Sequence, residues 1–220
     1  MASLRPNATL TFANEGNSDP NSIYYSKKAH WPKGNSGVTI GRGYDMGKKS
    51  KSKILKDLKG AGLDSKSAET LSEGANLFSD NAKKFVERTD VSAIELTTDQ
   101  ELLLFNNTHQ ELEREFQRIC QKGDVEKKYG ECNLSKIDPG IKEYAVDLIY
   151  RGDYSPKSRE KIQTAIVSND YDTLIKQAEN KSNWGNVDGN RFNKRIQHLK
   201  DKKFLFNLSR GKASNTPTSK

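Results

Sequence analysis

Strand-forming residues are concentrated in one short stretch, between Asn17 and Asp45, which confines any sheet to the N-terminal side of an otherwise helical chain. In that stretch glycine, proline, asparagine and serine dominate, broken by Ile23-Tyr24-Tyr25 and Val38-Thr39-Ile40. The two β-branched and aromatic runs predict strands joined by a turn-rich loop around Pro32 to Gly37. Gly41 and Gly43 flank Arg42 directly after the second run, where a bulge or sharp turn is expected. The first fifteen residues read as one short helix or an irregular lead into Glu15.

After Lys48 the spacing of apolar residues is helical. Ile54, Leu55 and Leu58 predict a short amphipathic helix that stops near Gly60 to Gly62, and Ser65 or Ser67 is a cap for the next. An apolar stripe continues through Leu71, Ala75, Leu77, Phe78, Phe85 and Val86. Thr98, with Glu101 three residues on, predicts a capped helix start, after which Leu102, Phe105, Leu112, Phe116 and Ile119 keep the period. Pro139 opens a helix bearing Ile141, Tyr144, Ala145, Leu148 and Ile149, and further helices are expected near 157–167, 171–177 and 191–199. The resulting fold class is α+β, with a small N-terminal β-hairpin lobe and a mostly helical C-terminal lobe. The expected division is an N-terminal lobe over 1–95, a helical lobe over 96–210 and a flexible tail over 211–220, its last part (Ser214 to Lys220) of lowest complexity.

A chain of 220 residues with 33% hydrophobic and 30% charged residues implies a thin core and a wet surface. Its net charge of +8 raises the local concentration of polyanions without choosing among nucleic acid, anionic membrane and bacterial wall. The densest basic run, Lys48 to Lys53, has few aromatics interleaved, which argues against a single-strand stacking platform, and no nucleic-acid motif occurs elsewhere. Cys120 and Cys132 lie apart from any Cys/His cluster, and His30, His109 and His198 are scattered, so no metal and no other cofactor is expected. The two cysteines allow either one disulfide or two thiols. Met1 to Pro20 is polar, so no secretion signal is expected, and no segment reads as a membrane span. Action on a cell wall then requires delivery by another system, or a larger parent protein.

Glycoside hydrolysis needs a protonated carboxyl for the leaving oxygen and a second polar group that directs water at the anomeric carbon. Glu15, in Ala-Asn-Glu-Gly-Asn, stands before the predicted hairpin, and Thr39 is followed six residues later by Asp45 beyond a Gly-x-Gly turn. Asp19 is a nearby carboxylate, but Asp-Pro is more often a turn starter. Asn-Glu15-Gly followed by Thr39-Ile-Gly-x-Gly resembles the phage-type (T-even) lysozymes, and the Thr39-to-Asp45 spacing is most similar to the pesticin-like bacteriocin toxin domains. Phage lysozymes carry their second carboxylate six residues before the threonine, where this chain has Lys33. The segments Leu96–Phe105, Ala145–Asp153 and Trp184 with Asn190-Arg191 resemble later parts of the same family, whereas 48–95 has no matching pattern.

The resemblance implies a two-lobed lysozyme-like fold with its cleft between the lobes. It also implies hydrolysis of the β-1,4 bond between N-acetylmuramic acid and N-acetylglucosamine, without metal or cofactor. Glu15 is then the general acid, and Asp45 with Thr39 binds and activates water. Tyr150, Arg151, Arg191 and Tyr44 are expected at the substrate, Arg191 pointing toward the glutamate. Trp184 reads more readily as a packing residue than as a sugar platform. With water as nucleophile the outcome is inversion, for which the carboxyls stand roughly 6.5–9.5 Å apart. The expected setting is an antibacterial toxin domain acting, as a monomer, on peptidoglycan in the target's periplasm or wall. An immunity protein and delivery machinery are its candidate partners. Alternatives are a phage endolysin, a chitin- or chitosan-type glycosidase, and a catalytically inactive wall-binding module.

Overall fold

The computed structural model describes residues 5–213. The chain forms two compact units, Met1–Gln110 and Glu111–Lys220. It is mostly helical, and among the described residues its one named sheet has two antiparallel strands. The boundary falls inside a helix rather than before residue 96, because that helix serves two cores: Leu104 is buried in the first and Phe116 in the second.

The N-terminal unit begins with α1 (Thr9–Asn14), followed by strands β1 (Thr39–Ile40) and β2 (Tyr44–Asp45). Thr39 lies opposite Asp45 and Ile40 opposite Tyr44. On the other edge of β1, Thr39 exchanges both backbone hydrogen bonds with His30, at 2.8 and 2.9 Å. The hairpin therefore turns through Gly41-Arg42-Gly43, and the segment beside β1 is centred on His30, not on Ile23-Tyr24-Tyr25. That earlier run is a turn, with Ile23 69% exposed. The Ser22 hydroxyl accepts from the Tyr24 N–H, and the Ser22 carbonyl from the Tyr25 N–H, so local bonds take the place of a ladder.

Alternation along the strands separates two faces. Val38, Ile40, Tyr44 and Met46 are buried, and Thr39 and Asp45 face the other way. Beneath the buried face lie α2 (Lys51–Gly60), α3 (Ser65–Ser72), α4 (Ser79–Val86) and α5 (Thr89–Ser92), which contribute Ile54, Leu58, Leu71, Phe85 and Val91 to the same core. The stretch 48–95 is thus the floor on which the hairpin stands. Its caps differ slightly from expectation. Asp64, rather than Ser65 or Ser67, caps α3 by accepting from the Ser67 N–H at 3.0 Å. For α6 (Thr98–Cys120), Thr97 and Gln100 form the reciprocal box, at 3.1 and 2.9 Å, which leaves Glu101 to turn inward.

The C-terminal unit holds the end of α6, then α7 (Gly123–Tyr129), α8 (Pro139–Arg151), α9 (Pro156–Ser168), α10 (Tyr171–Glu179), a 3-10 turn (Lys181–Asn183) and α11 (Gly189–Ala213). Its core is built around α8, whose Ile141, Tyr144, Ala145, Val146 and Leu148 are buried. Asp138 accepts from the Gly140 N–H at 2.8 Å and Pro139 starts the helix, as the sequence predicts. Cys120 and Cys132 form a disulfide within this core. Helix α11 continues well past 199 and through 211–213, and the rest of the expected tail, 214–220, lies outside the described residues. No helix of the described residues is long and apolar enough to cross a membrane.

Candidate active site

Glu15 is the first residue beyond α1. Its N–H donates to the Thr11 carbonyl at 2.9 Å while its own backbone has already turned extended, so the side chain leaves from the helix end. Two groups hold this exit. Arg42, at the hairpin tip, donates from Nη1 to the carbonyls of Glu15 (2.7 Å) and Phe12 (3.2 Å), and from Nη2 to the Ser18 hydroxyl (2.8 Å). A guanidinium on the last carbonyls of a helix satisfies orphan acceptors and meets the negative end of the helix dipole. The same guanidinium stacks on the Phe12 ring at 4.0 Å.

The second group is Ser26, fully buried. Its hydroxyl accepts from the Asn17 N–H at 2.6 Å, and its carbonyl accepts from the Gly41 N–H at 2.7 Å. The α1 exit is thereby tied to the hairpin turn. Gly16 makes this approach possible: its φ is +80°, and a Cβ there would stand 2.4 Å from the Ser26 hydroxyl oxygen.

Asp45 is held from its own loop. Its Oδ1 accepts from the Gly47 N–H at 2.7 Å, and among the described residues Oδ2 has no protein partner. Gly37 lies so close that an added Cβ would be 2.4 Å from Asp45 Oδ1 and 2.6 Å from the Gly47 Cα. The absence of a side chain at 37 therefore sets how the Asp45 carboxylate lies. Thr39 is 8% exposed, and its hydroxyl has no protein hydrogen bond among the described residues.

Glu15, Thr39 and Asp45 line one open cleft of about 370 Å³, together with Asn17, Tyr24, His30, Pro32 and Ser36. The structure thus brings the three predicted catalytic residues onto one surface. A proton donor at a helix end can there face a hydroxyl and a carboxylate paired across a hairpin. Asp19 makes a local turn, accepting from the Asn21 N–H at 3.0 Å, in keeping with the Asp-Pro reading. Lys33, with φ of +83°, is a turn residue beside Tyr24. Among the described residues no group of three His, Cys, Asp or Glu side chains is arranged to hold a metal ion.

The model of a family described as Domain of unknown function (DUF8812) matches residues 8–196. The chain belongs to that family. Its matched span takes in Glu15, Thr39 and Asp45 as well as the helices of the second unit. No curated protein matches the chain.

Within this family member, the other residues expected at a substrate have different surroundings. Tyr44 is a correction: strand alternation turns it into the core, where its hydroxyl donates to Asp57 Oδ2 at 2.6 Å. Arg151, Arg191 and Tyr150 belong to the second unit. Arg191 is buried and donates to Asp147 Oδ1 at 2.9 Å. Arg195 donates to Asp147 Oδ2 at 2.6 Å and to Asp153 Oδ2 at 2.7 Å. Arg151 donates to Asp153 Oδ1 at 2.6 Å and to the Asn186 carbonyl at 3.0 Å, and Tyr150, at the end of α8, is half-buried. Burial raises the cost of charging Asp147, but Arg195 and Arg191 outweigh it and hold the carboxyl below its ordinary range. Trp184 is a packing residue, its indole N–H donating to the Gln177 carbonyl at 2.9 Å and its ring set edge-on to Tyr144.

Sequence reasoning missed Arg42, Ser26, Glu101 and His30. Arg42 had a signal, a cation between two glycines at a hairpin tip, but its acceptors are carbonyls 27 and 30 residues away. Glu101 is buried, with Oε1 3.4 Å from Arg42 Nε, and burial raises its pKa against the opposing pull of Arg42 and Lys27.

Proposed function

We propose that this chain is a muramidase that hydrolyses the β-1,4 bond between N-acetylmuramic acid and N-acetylglucosamine. The observation that carries the reading is the shared cleft of Glu15, Thr39 and Asp45, with the last two directly paired across the hairpin. Glu15, protonated, gives its proton to the glycosidic oxygen as the bond to the anomeric carbon breaks. Asp45, ionised, accepts a proton from the attacking water, and the Thr39 hydroxyl orients that water. The Gly47 N–H holds Asp45 Oδ1 and leaves Oδ2 for the water. With water as nucleophile the anomeric configuration inverts.

The net charge of +8 suits an anionic wall polymer, and the role proposed is that of an antibacterial toxin domain acting on the wall of a target cell. Muropeptide mass analysis of purified peptidoglycan tests the reading. Wild-type chain is expected to release fragments with reducing-end muramic acid, and Glu15→Gln to lower that release by about 10²–10⁴-fold. Reducing-end glucosamine, free peptides, or equal release by Glu15→Gln would overturn it. Cleavage of chitosan but not of wall would point to another aminosugar glycosidase, and wall binding without cleavage to a binding module.

A further inference from the structure

His30 lines the cleft beside Thr39, and the reaction above assigns it nothing. Its backbone exchanges both hydrogen bonds with Thr39, and Thr39 lies opposite Asp45 on the next strand. Directly opposed residues of antiparallel strands share a face, at Cα separations of about 5.5 Å for a bonded pair and about 4.5 Å for the alternate pair. His30, Thr39 and Asp45 are therefore one row of side chains across β1, β2 and the segment bridged to β1 at His30, and all three line the cleft. Ala29, Val38, Ile40, Tyr44 and Met46, on the opposite face, are core residues.

The ring itself is oriented. Nδ1 lies 3.0 Å from the Lys28 carbonyl oxygen, which can only accept, so in the neutral ring the proton sits on Nδ1 and Nε2 is an acceptor. Tyr24 meets the ring edge-on, with centroids 6.2 Å apart. Among the described residues Nε2 has no hydrogen-bond partner. Burial lowers the pKa of His30, against the Lys28 carbonyl that raises it, which keeps the ring neutral at neutral pH.

We propose that His30 Nε2, the Thr39 hydroxyl and Asp45 Oδ2 form a three-point cradle for the attacking water. This rests on the muramidase reading and assigns a further residue to its water-activating half. Water donates one proton to Asp45 and the other to His30 Nε2, and it accepts from the Thr39 hydroxyl. Its remaining lone pair then points at the anomeric carbon. As the new C–O bond forms, the proton shared with Asp45 transfers to Asp45 and Glu15 protonates the leaving oxygen. His30 keeps its Nδ1 proton and gains none. A neutral acceptor fits this place, because a donor there would compete for the lone pair that attacks.

The test combines kinetics with nitrogen-15 NMR of the imidazole. His30→Ala is expected to lower kcat about 10–100-fold on soluble peptidoglycan fragments with KM unchanged, and His30→Gln, whose side-chain oxygen can accept, to recover part of that loss. In wild type, Nε2 should be unprotonated and Nδ1 protonated at pH 7. A proton on Nε2 at pH 7 overturns the proposal whatever the variants do, and decides it even where they fail to fold. Unchanged kcat in both variants also overturns it, as does a raised KM at unchanged kcat, which would mark a saccharide contact. A wild-type chain that leaves wall glycan intact overturns the muramidase reading and this role together. Wild-type cleavage lost in Glu15→Gln but kept in His30→Ala overturns this role alone.

Discussion

On the sheet of the N-terminal unit, Asp45 and Thr39 turn polar atoms to an open cleft, whereas in the C-terminal unit the carboxylates of Asp147 and Asp153 are filled by arginines. Asp45 Oδ2 and the Thr39 hydroxyl have no protein partner among the described residues, and Gly37 and Gly47, which lie against the Asp45 carboxylate, have only backbone to offer it. By contrast Asp147, with 0% exposure, receives both Arg191 and Arg195, and Asp153 receives Arg195 and Arg151. A carboxylate that is to handle water needs an open oxygen. One that fastens α8 to α11 needs every oxygen filled, since an unpaired buried charge is costly. The same residue types thus leave open oxygens in a cleft in one unit and hold helices together in the other.

The largest departure from this contrast is expected from Asp147→Ala. Removing the acceptor takes a buried carboxylate from both Arg191 and Arg195, leaving Arg195 with Asp153, and should cost about 3–5 kcal/mol, with hydrogen-exchange protection lost first in α8 and α11. Protection lost first around β1 and β2 would show that the two units do not divide their roles in this way. A smaller effect is expected from Gly37→Ala. Its methyl group would meet Asp45 Oδ1 and the Gly47 backbone, costing about 1–3 kcal/mol as packing strain and displacing the carboxylate. Wall cleavage should fall by more than the change in thermal stability accounts for, and parallel losses in the two measurements would contradict that.

The smallest effect is a difference in pH response. The folded-state pKa of His30 is below its ordinary value of 6.5, chiefly through burial, so the unfolded chain takes up a proton first as pH falls. The N-terminal unit should therefore lose stability as pH drops below 6.5. The Asp147 pKa is held below its ordinary value of 3.8, so its contribution is present above that pH and is lost only in stronger acid. Between pH 6.5 and 5, protection should weaken in residues 27–45 before it weakens in α8. His30→Gln should flatten that slope, and an unchanged slope would remove His30 as its source.

Much of the fold was legible because its signals are local. Pro139 with Asp138 before it, and the apolar period from Ile141 to Leu148, need only neighbours to specify a buried helix start. The cap of α6 was misread by one residue, because Thr97 and Thr98 offer the same hydroxyl and only packing decides which one turns out of the helix. Ile23-Tyr24-Tyr25 has strand composition, but Ser22 takes the Tyr24 and Tyr25 N–H groups at closer range. Of the residues that line the cleft, Glu15, Thr39 and Asp45 could be named from a motif. Arg42, Ser26 and His30 are defined by what they meet across the chain.

The sequence by itself determined that strands belong only to the N-terminal side, that a Gly-x-Gly turn separates Thr39 from Asp45, and that helices fill the remainder. These follow from period, turn chemistry and caps, all of which act over a few residues. The tertiary structure alone decided that Tyr44 goes inward while Thr39 and Asp45 face the cleft. It also decided that His30 completes their row, and that Arg42 secures the end of α1. A two-residue side-chain period names two faces without saying which is buried. The helices of 48–95 supply the apolar floor that makes the choice.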